Sequence, residues 1–372
     1  MQTASCRRDH IPSSPRELTT AAGYFIINRH AGRTCETRSM TVFAAPCFEP
    51  TFREHPIVLA DVGARGGLRP NWRSARPQLR LLGFEPDRGE YDRLVADSAD
   101  GGHGDRYFNV ALHDHRGSMT LHVARDPGLT SLFPPNRPFL DAFPDADRFD
   151  TVDRVSIATD TLDRIVAEHQ IEDVDFIKAD TQGTELFVLR GATGVLASQV
   201  TGVEVEAEFA QIYSGQPVFA DVDTLLRDLG FHLFDLRPCY WKRAAGRSVG
   251  GPHGQIIWAD ALYLKGVQAL QSSTAGLAPH PRKAKWLKAM SVALLYGYRD
   301  YALEIAHSVD IWSTDEVAAI ERELRRGDSA SLAVPFFPGR RYVAAGFRRL
   351  SRAFRDRNDA WSVSDANLGN LE

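Results

Sequence analysis

From residue 56 onward, short apolar runs alternate with segments of helical periodicity, and this alternation limits the folds open to the chain. Runs such as Ile57–Val62, Leu79–Phe84 and Val174–Ala179 are short and largely apolar, which is typical of buried parallel strands with helices between them. Phe231–Leu236 and Ile256–Leu264 are expected to close the sheet as an antiparallel pair at its edge. The pattern therefore predicts an α/β fold with about seven principal strands.

The chain divides into three parts by composition. Residues 1–55 are rich in Ser, Thr, Pro and Arg and are expected to form a poorly ordered N-terminal extension, with Met40 as an alternative start. Residues 56–265 carry the strand and helix pattern, and residues 126–150, with five prolines, are expected to form a long loop within it. Residues 266–372 have helical spacing and are expected to form a helical C-terminal appendage.

Charge and cysteine content exclude several classes of protein. A net charge of −4 over 372 residues disfavours nucleic-acid binding as the main function. The four cysteines form no CxxC pair, so neither a disulfide framework nor a structural zinc site is expected. The chain shows no signal peptide, and no apolar run reaches the roughly 18 residues of a membrane span. We therefore predict a cytoplasmic protein, and its arginine-rich basic residues favour a GC-rich, bacterial source.

A glycine-rich turn follows the first strand. Gly63 and Gly67 permit a tight turn and close approach of the backbone to a ligand at a helix N-terminus. Glu85 lies 22 positions after Gly63 at the end of the second strand, where a carboxylate can accept hydrogen bonds from ribose hydroxyls. Arg65 occupies a position where a dinucleotide site requires glycine, and Asp61 suits a cationic ligand. The turn therefore predicts S-adenosylmethionine rather than NAD.

The chain resembles FkbM-family methyltransferases, a class I family that depends on S-adenosylmethionine. The resemblance is carried by five blocks in order: Asp61–Ala64 with Gly67, Phe84–Asp87, Asn109–Leu112 with Gly117, Thr130–Leu132, and Thr161–Asp163 followed by Asp175–Glu185. It implies a Rossmann-like, seven-stranded, mostly parallel sheet with an antiparallel edge strand over about 56–265, plus the helical C-terminal appendage. Arg65 departs from the family pattern, which usually has Asn there.

The resemblance also implies cofactor-binding residues at three strand ends and in the loop after the fourth core strand. It assigns the methionine end of the cofactor to Asp61, Gly63, Ala64 and Gly67, the ribose to Glu85 and Pro86, the adenine to Asn109, Val110 and Ala111, and the vicinity of the reactive methyl group to Asp180.

Carboxylates after the later strands are the catalytic candidates. Methyl transfer to a hydroxyl is an in-line displacement that depends on positioning and on removal of the hydroxyl proton. Asp180 is the first candidate for proton acceptor or orienter, with Glu206 and Glu208 beside it. Glu185 also fits a structural role in capping backbone N–H groups, and Glu204 fits a solvated edge face. Asp180, Glu206 and Glu208 could instead hold a divalent cation, but no histidine joins them, so no metal is assigned.

The segment 340–357 has seven arginines against one aspartate, with Phe347, Leu350 and Phe354 at helical spacing. This pattern is typical of a basic helix that contacts a membrane surface or an anionic substrate. The alternative, which we favour, is a helix that packs its apolar stripe on the core.

The function predicted from the sequence is O-methylation of a hydroxyl on a carbohydrate or small natural product, with S-adenosylmethionine as the methyl donor. The expected partner is a small-molecule or glycan acceptor and not a nucleic acid. An inactive nucleoside-binding module with a partner-binding helical tail is the alternative. A nucleotide-sugar or NAD oxidoreductase is disfavoured, because the chain lacks Gly-x-Gly-x-x-Gly.

Overall fold

The structure is a computed structural model, and every residue that it describes lies within the unit Glu36–Glu372. The described residues are 45–98, 104–251, 253–325, 337–354, 360–364 and 367–370. The predictions made for residues up to 44, including the start at Met40, lie outside these ranges.

The described strands form one large sheet and one small sheet. Their bounds are β1 Ile57–Val62, β2 Leu79–Phe84, β3 Arg106–Phe108, β4 Ala111–Leu112, β5 Gly117–Ala124, β6 Thr151–Asp160, β7 Phe176–Ala179, β8 Gly202–Glu208, β9 Phe231–Trp241, β10 Gln255–Lys265 and β11 Trp361–Val363.

The large sheet has the order β11-β9-β10-β8-β7-β1-β2-β3, and β4, β6 and β5 form the small sheet. Strands β3, β2, β1, β7 and β8 pair in parallel, whereas β10 runs antiparallel to both β8 and β9. The predicted α/β fold class is confirmed. The antiparallel strand β10, however, lies between β8 and β9 rather than at the sheet edge, and β11 adds an eighth strand outside β9.

The helices lie before, between and after the strands. Their bounds are α1 Glu49–Glu54, α2 Arg88–Ser98, α3 Arg137–Leu140, α4 Leu162–Glu168, α5 Glu185–Arg190, α6 Thr193–Ser198, α7 Phe219–Asp228, α8 Val267–Thr274, α9 Pro279–Leu295, α10 Arg299–His307, α11 Thr314–Arg325 and α12 Arg340–Ala353, with 3₁₀ helices at Pro46–Phe48, Pro70–Gln78, Pro127–Leu129, Ala146–Phe149 and Ala244–Gly246.

Strand β1 determines where the ends of its neighbours lie. All six of its residues are buried, as expected for a strand with elements packed on both faces. Its last residue, Val62, pairs with Phe84 of β2 and with Ala179 of β7. Because these pairings are parallel, the loops that follow Val62, Phe84 and Ala179 emerge at the same edge of the sheet.

The segment 126–150 is not the open loop that its prolines predicted. It contains α3 and two 3₁₀ helices, and its apolar side chains form a core of their own with residues of β9 and β10. Leu140 and Phe149 are buried there beside Tyr213 and Trp241. Aromatic and aliphatic residues between the prolines supply enough apolar surface to order the segment.

The expected N-terminal extension and C-terminal appendage both contribute to the main core. Phe48 and Phe52, within the predicted extension 1–55, are buried in one cluster with Trp286 and Tyr296 from the predicted appendage 266–372. The extension therefore does not reach residue 55, and residue 266 does not separate two compact units. Burial of these aromatic side chains accounts for both corrections.

A buried group of charges joins α9 to the sheet. Nζ of Lys285 lies 2.6 Å from Oδ1 of Asp175, and Nζ of Lys288 lies 2.9 Å from Oδ2 of the same carboxylate. Asp173 is a second partner of both lysines, and the backbone N–H of Val58 donates to Asp175 at 2.8 Å. Burial opposes ionisation of Asp175, but the two ammonium groups prevail and lower its pKa to about 2.

Helix α12 does not pack its apolar stripe on the core, contrary to the interpretation favoured above. Phe347 is 68% exposed, Leu350 56% and Phe354 80%. In the described part of the chain, no helix is both long enough and apolar enough to cross a bilayer.

The lysine–aspartate group supports a stability prediction. Asp175→Asn removes the carboxylate that both buried ammonium groups share, and Asp173 compensates only in part. We expect a loss near the lower end of the about 3–5 kcal/mol typical of a broken buried ion pair, measured by urea unfolding. Arg53→Gln removes an exposed pair with Glu49 and should change the free energy of unfolding by less than about 0.5 kcal/mol.

The stability difference between wild type and Asp175→Asn should also depend on pH, which gives a second measurement. Since the pKa of Asp175 is lower in the folded than in the unfolded state, its contribution is present above the unfolded value of about 3.9 and is lost as the pH falls toward 2. The stability difference between wild type and Asp175→Asn should therefore shrink over that window. A difference that is small at pH 7, or independent of pH, would contradict the role given to this ion pair.

Candidate functional site

Lys178 lies in the buried strand β7. It connects the turn after β1 to the loop after β7, at the carboxyl edge of the sheet. Its side chain is 8% exposed, and its Nζ lies 3.2 Å from Oδ1 of Asp61 and 3.8 Å from Oδ2 of Asp180. The same ammonium donates a 3.0 Å hydrogen bond to the carbonyl oxygen of Gly63. Although burial disfavours the charged form, the carboxylates of Asp61 and Asp180 raise the pKa of Lys178. A buried cation thus holds the turn after β1 against the loop after β7.

Gly63 allows these two loops to touch. Its φ is +75°, and a Cβ at this position would lie 2.0 Å from the carbonyl oxygen of Asp180. The backbone N–H groups of Gly63 and Ala64 both donate to the carbonyl oxygen of Phe84, at 3.1 and 3.2 Å. Only glycine combines this backbone conformation with this close approach.

The rest of the glycine-rich turn borders open space. Gly66 and Gly67 also have positive φ, and a Cβ built on either would meet nothing within 4 Å. The N–H of Gly66 donates to Glu90 at 3.1 Å, and the N–H of Gly67 donates to the carbonyl oxygen of Ala64 at 3.1 Å. These bonds order the turn and leave room beside it for a ligand.

Glu85 and Asn109 lie together at the ends of β2 and β3. The amide of Asn109 donates to the carbonyl oxygens of Glu85 and Pro86 at 2.9 and 3.0 Å. The N–H of Asp87 donates to Oε1 of Glu85 at 2.9 Å. Burial raises the pKa of Glu85. Asn109 is exposed, and the two residues after it in the predicted adenine segment, Val110 and Ala111, are half-buried.

Gln182 connects Asp180, which follows β7, to Glu206, which lies near the end of β8. Its Nε2 donates to Oδ1 of Asp180 at 3.2 Å and to Oε1 of Glu206 at 2.9 Å, while its Oε1 accepts from the hydroxyl of Tyr213 at 3.1 Å. Its φ is +57°, a conformation that few non-glycine residues adopt and that is enriched at functional sites. The carbonyl oxygen of Gln182 also accepts a 2.6 Å bond from Ser131.

Arg69 is a second cation in the site. It contacts Glu204, which is also hydrogen-bonded to the C-terminal helices. Its guanidinium donates to Oδ2 of Asp180 at 3.4 Å and lies 3.9 Å from Glu204. Glu204 accepts a 2.6 Å bond from the hydroxyl of Tyr296, at the end of α9. Glu204 is only 5% exposed, so the solvated edge face considered above is wrong. The prediction failed because α9 and Arg69, both distant in sequence, cover this face of β8.

The carboxylates of the site differ in their tendency to ionise. Burial opposes ionisation of Asp180, but Lys178 and Arg69 prevail and lower its pKa. Burial raises the pKa of Glu206 well above its usual value, and the neighbouring charges of Asp180 and Glu208 add to that effect. Burial also raises the pKa of Glu208 well above its usual value, and the neighbouring charge of Glu185 adds to that effect. One ionised carboxylate therefore lies beside two that favour the neutral form.

Glu185 serves the loop rather than the cleft. It accepts hydrogen bonds from the N–H of Thr181 at 2.6 Å and from the N–H of Gly183 at 3.0 Å. The hydroxyl of Thr181 adds a third at 3.0 Å. Burial raises the pKa of Glu185 to about 7 despite these donors. This is the capping role that its position at the start of α5 suggested.

The described residues contain two groups of three side chains whose potential metal-ligand atoms all lie within 4.8 Å of one another. They are Glu54, His55 and His280, and His113, Asp114 and His115. Asp180, Glu206 and Glu208 do not form such a group, so the geometry gives no support to the divalent-cation alternative at this site.

The part of the chain that contains this site is similar to known methyltransferases. Residues 61–233 match the family model described as the methyltransferase FkbM domain. The methyltransferase sdnD of Sordaria araneosa is 24% identical over 212 residues, a match that covers 52% of this chain and 80% of the relative.

The match to the methyltransferase FkbM domain spans 173 of the 372 residues. It bears out the predicted resemblance over this region and supports a methyltransferase that uses S-adenosylmethionine. The family model begins at Asp61 and ends within β9, so β10, β11 and helices α8 to α12 lie outside it.

Two solved methyltransferases show more distant likenesses. Methyltransferase FkbM from Methylobacillus flagellatus is 15% identical with a TM-score of 0.35, and the match covers 56% of this chain and 43% of that one. The chain thus spans less than half the length of that solved protein. Magnesium protoporphyrin IX methyltransferase from Synechocystis is 8% identical with a TM-score of 0.28, over 57% of this chain and 71% of that one.

Sequence reasoning overlooked several residues of the FkbM domain's site. Lys178 carried a signal, since a lysine within the apolar run Phe176–Ala179 must find buried partners. Gln182 carried none beyond its place in a matching block. Arg69 lies in a polar turn, and Tyr213 and Tyr296 come from segments whose position the sequence does not predict.

The contact between Gly63 and Asp180 supports a prediction with a matched control. Gly63→Ala and Gly66→Ala both place a Cβ on a residue with positive φ, and only the first meets backbone within 4 Å. We expect Gly66→Ala to cost the roughly 1–2 kcal/mol of a left-handed residue. Gly63→Ala should cost clearly more and abolish binding of S-adenosylhomocysteine, measured by thermal unfolding and calorimetric titration. Equal losses in the two variants would show that the loop contact is unimportant.

Proposed function

We propose that the FkbM domain transfers a methyl group to a hydroxyl of a neutral, hydroxyl-rich acceptor, either a carbohydrate or a small natural product. The observation that carries this proposal is the arrangement around Asp180. An ionised carboxylate, held by two cations and one amide, follows β7 at the same sheet edge as the glycine-rich turn. In open α/β sheets, ligands bind in the crevice at this edge.

The residues at this edge fit the cofactor that the family uses. The open space beside Gly66 and Gly67 would accommodate its methionine end, and Glu85 with Pro86 would face the ribose. Asn109, Val110 and Ala111 would border the adenine. S-adenosylmethionine supplies an electrophilic methyl group on a sulfonium.

Asp61 has an indirect role in this proposal. Its buried carboxylate faces Lys178 at 3.2 Å, and burial raises its pKa despite that ammonium group, so it offers a cationic ligand little free negative charge. Asp61 and Lys178 therefore position the turn, through the bond from Lys178 to Gly63. The backbone of the turn, rather than this carboxylate, would contact the methionine end of the cofactor directly.

Asp180 accepts the hydroxyl proton. Its side chain is 28% exposed, whereas those of Glu204 and Lys178 beside it are 6% and 8% exposed. A hydroxyl that donates a hydrogen bond to Asp180 would keep its lone pairs for the methyl carbon. As the new C–O bond forms and the bond from that carbon to sulfur breaks, with the thioether as leaving group, the hydroxyl proton becomes strongly acidic. A carboxylate with a lowered pKa is therefore a sufficient base.

Glu206 positions Gln182 rather than taking the proton. In its neutral form it adds no second negative charge beside Asp180, and it still accepts the 2.9 Å hydrogen bond from Gln182. Glu208 lies deeper, with the burial-favoured neutral form as well. These two residues are assigned positioning roles.

The charges around the cleft favour a neutral acceptor. Lys178 pairs with Asp61, Arg69 with Asp180, and Arg237 with Asp260 at 2.9 Å. Because each of these cations already has a carboxylate partner, an anionic acceptor gains little from them. Amide and carboxyl groups around Gln182 offer hydrogen bonds to several hydroxyls, which suits an acceptor with many of them.

The assignment is tested with an isosteric pair, Asp180→Asn and Glu206→Gln. Wild type is first screened for transfer of labelled methyl groups to neutral sugars and to small polyhydroxylated natural products. With the best acceptor, Asp180→Asn should lower turnover by about 10²–10⁴-fold, the contribution of a general base. Glu206→Gln replaces a neutral carboxyl by a neutral amide and should lower turnover by less than about tenfold. Both should keep the affinity for S-adenosylhomocysteine.

Other outcomes assign different roles. Loss of both turnover and cofactor affinity in Asp180→Asn would mean that Asp180 serves the cofactor. A large loss in Glu206→Gln with little in Asp180→Asn would make Glu206 the base. Wild type that binds S-adenosylhomocysteine but methylates nothing would favour the inactive nucleoside-binding module.

A further inference from the structure

Helix α12 presents an apolar stripe to solvent along its length. Val343, Phe347, Leu350 and Phe354 follow one another at intervals of four, three and four residues, which places them on one face of a helix. They are 49%, 68%, 56% and 80% exposed. A contiguous stripe of exposed apolar side chains on a protein surface is typical of an interaction site.

The other side of α12 is basic. Arg341, Arg348 and Arg349 lie roughly opposite the stripe at about 100° per residue, and Arg340 flanks it. All four are exposed. The helix sequence contains a fifth arginine and no acidic residue. Whatever covers the stripe must therefore combine an apolar interior with a negatively charged surface.

We infer that α12 is a membrane-surface anchor that lies in the headgroup region of an anionic bilayer. Such a bilayer offers acyl chains to the stripe and negative headgroups to the arginines. A second copy of the chain is a poorer occupant, because stripe-to-stripe contact would bring two sets of arginines together. The helix has 14 residues, about 21 Å of length, which is too short to cross the roughly 30 Å hydrocarbon core.

The chain after α12 returns to the body of the protein. Trp361–Val363 forms β11 beside β9, Leu368 is buried in the main core, and the N–H of Gly369 donates to Asp235 at 2.8 Å. Deletion of the C-terminal segment would therefore remove β11 and part of the core. Point substitutions on the exposed faces of α12 avoid this damage.

The test is sedimentation of the full chain with vesicles of phosphatidylcholine alone or with 30% phosphatidylglycerol. We expect binding to the anionic vesicles, little binding to the neutral ones, and release in high salt, where the screening length is short. Phe347→Ser/Leu350→Ser should weaken binding at least tenfold. Arg348→Gln/Arg349→Gln should weaken it about thirtyfold on anionic vesicles, at about 1 kcal/mol for each arginine.

Matched controls remove similar groups elsewhere on the surface. Val152→Ser/Val155→Ser removes two exposed apolar side chains of β6, and Arg53→Gln/Arg88→Gln removes two exposed arginines. Neither should change vesicle binding, and all variants should keep the unfolding temperature of wild type.

Three results would overturn the inference. One is binding that is equal on neutral and anionic vesicles or absent from both. Another is wild-type binding in the two α12 variants. The third is a dimer in sedimentation velocity that Phe347→Ser/Leu350→Ser converts to monomer, which would make the stripe a contact between copies. The inference does not rest on the proposed methyl acceptor, since no cofactor or acceptor enters the assay.

Discussion

The buried ammonium group of Lys178 is the interaction on which the site depends. It joins a carboxylate from β1, the carbonyl of the turn after β1 and a carboxylate from the loop after β7. A charge at this depth is tolerated only with such partners, because its desolvation would otherwise cost several kcal/mol. The turn that would hold the cofactor and the carboxylate proposed to take the proton are thereby positioned by one group.

A second buried ionic group performs a similar task on α9. Lys285 and Lys288 meet Asp175, which begins the approach to β7. The same helix ends at Tyr296, which bonds to Glu204 of β8. Helix α9, which the family match does not include, is thus connected to the approach to β7 and to β8.

The sequence predicted the sheet, the glycine-rich turn and the residues at the ends of β1 and β2, because these depend on local pattern. An apolar run indicates a buried segment, and a glycine such as Gly63 indicates a tight turn. Neither inference requires knowledge of residues far away in the chain. The roles of Asp180, Glu206 and Glu208 remain predictions, though their grouping could be anticipated from the parallel strands that they follow. Arg69, Gln182 and Tyr296 could not be anticipated, since the glutamates of β8 that they contact lie between 24 and 135 residues away in the chain.

By itself, the sequence determined the α/β class, the resemblance to FkbM-family methyltransferases and the chemical character of α12, because each depends on periodicity, motif or composition. Only the tertiary structure decided which of these features are covered. It buried Glu204, ordered the proline-rich segment 126–150 and merged the C-terminal helices with the core, yet left the stripe of α12 in solvent. The reason is that amphipathic periodicity specifies that a face needs a partner, whereas the partner itself is chosen by packing among elements far apart in the chain.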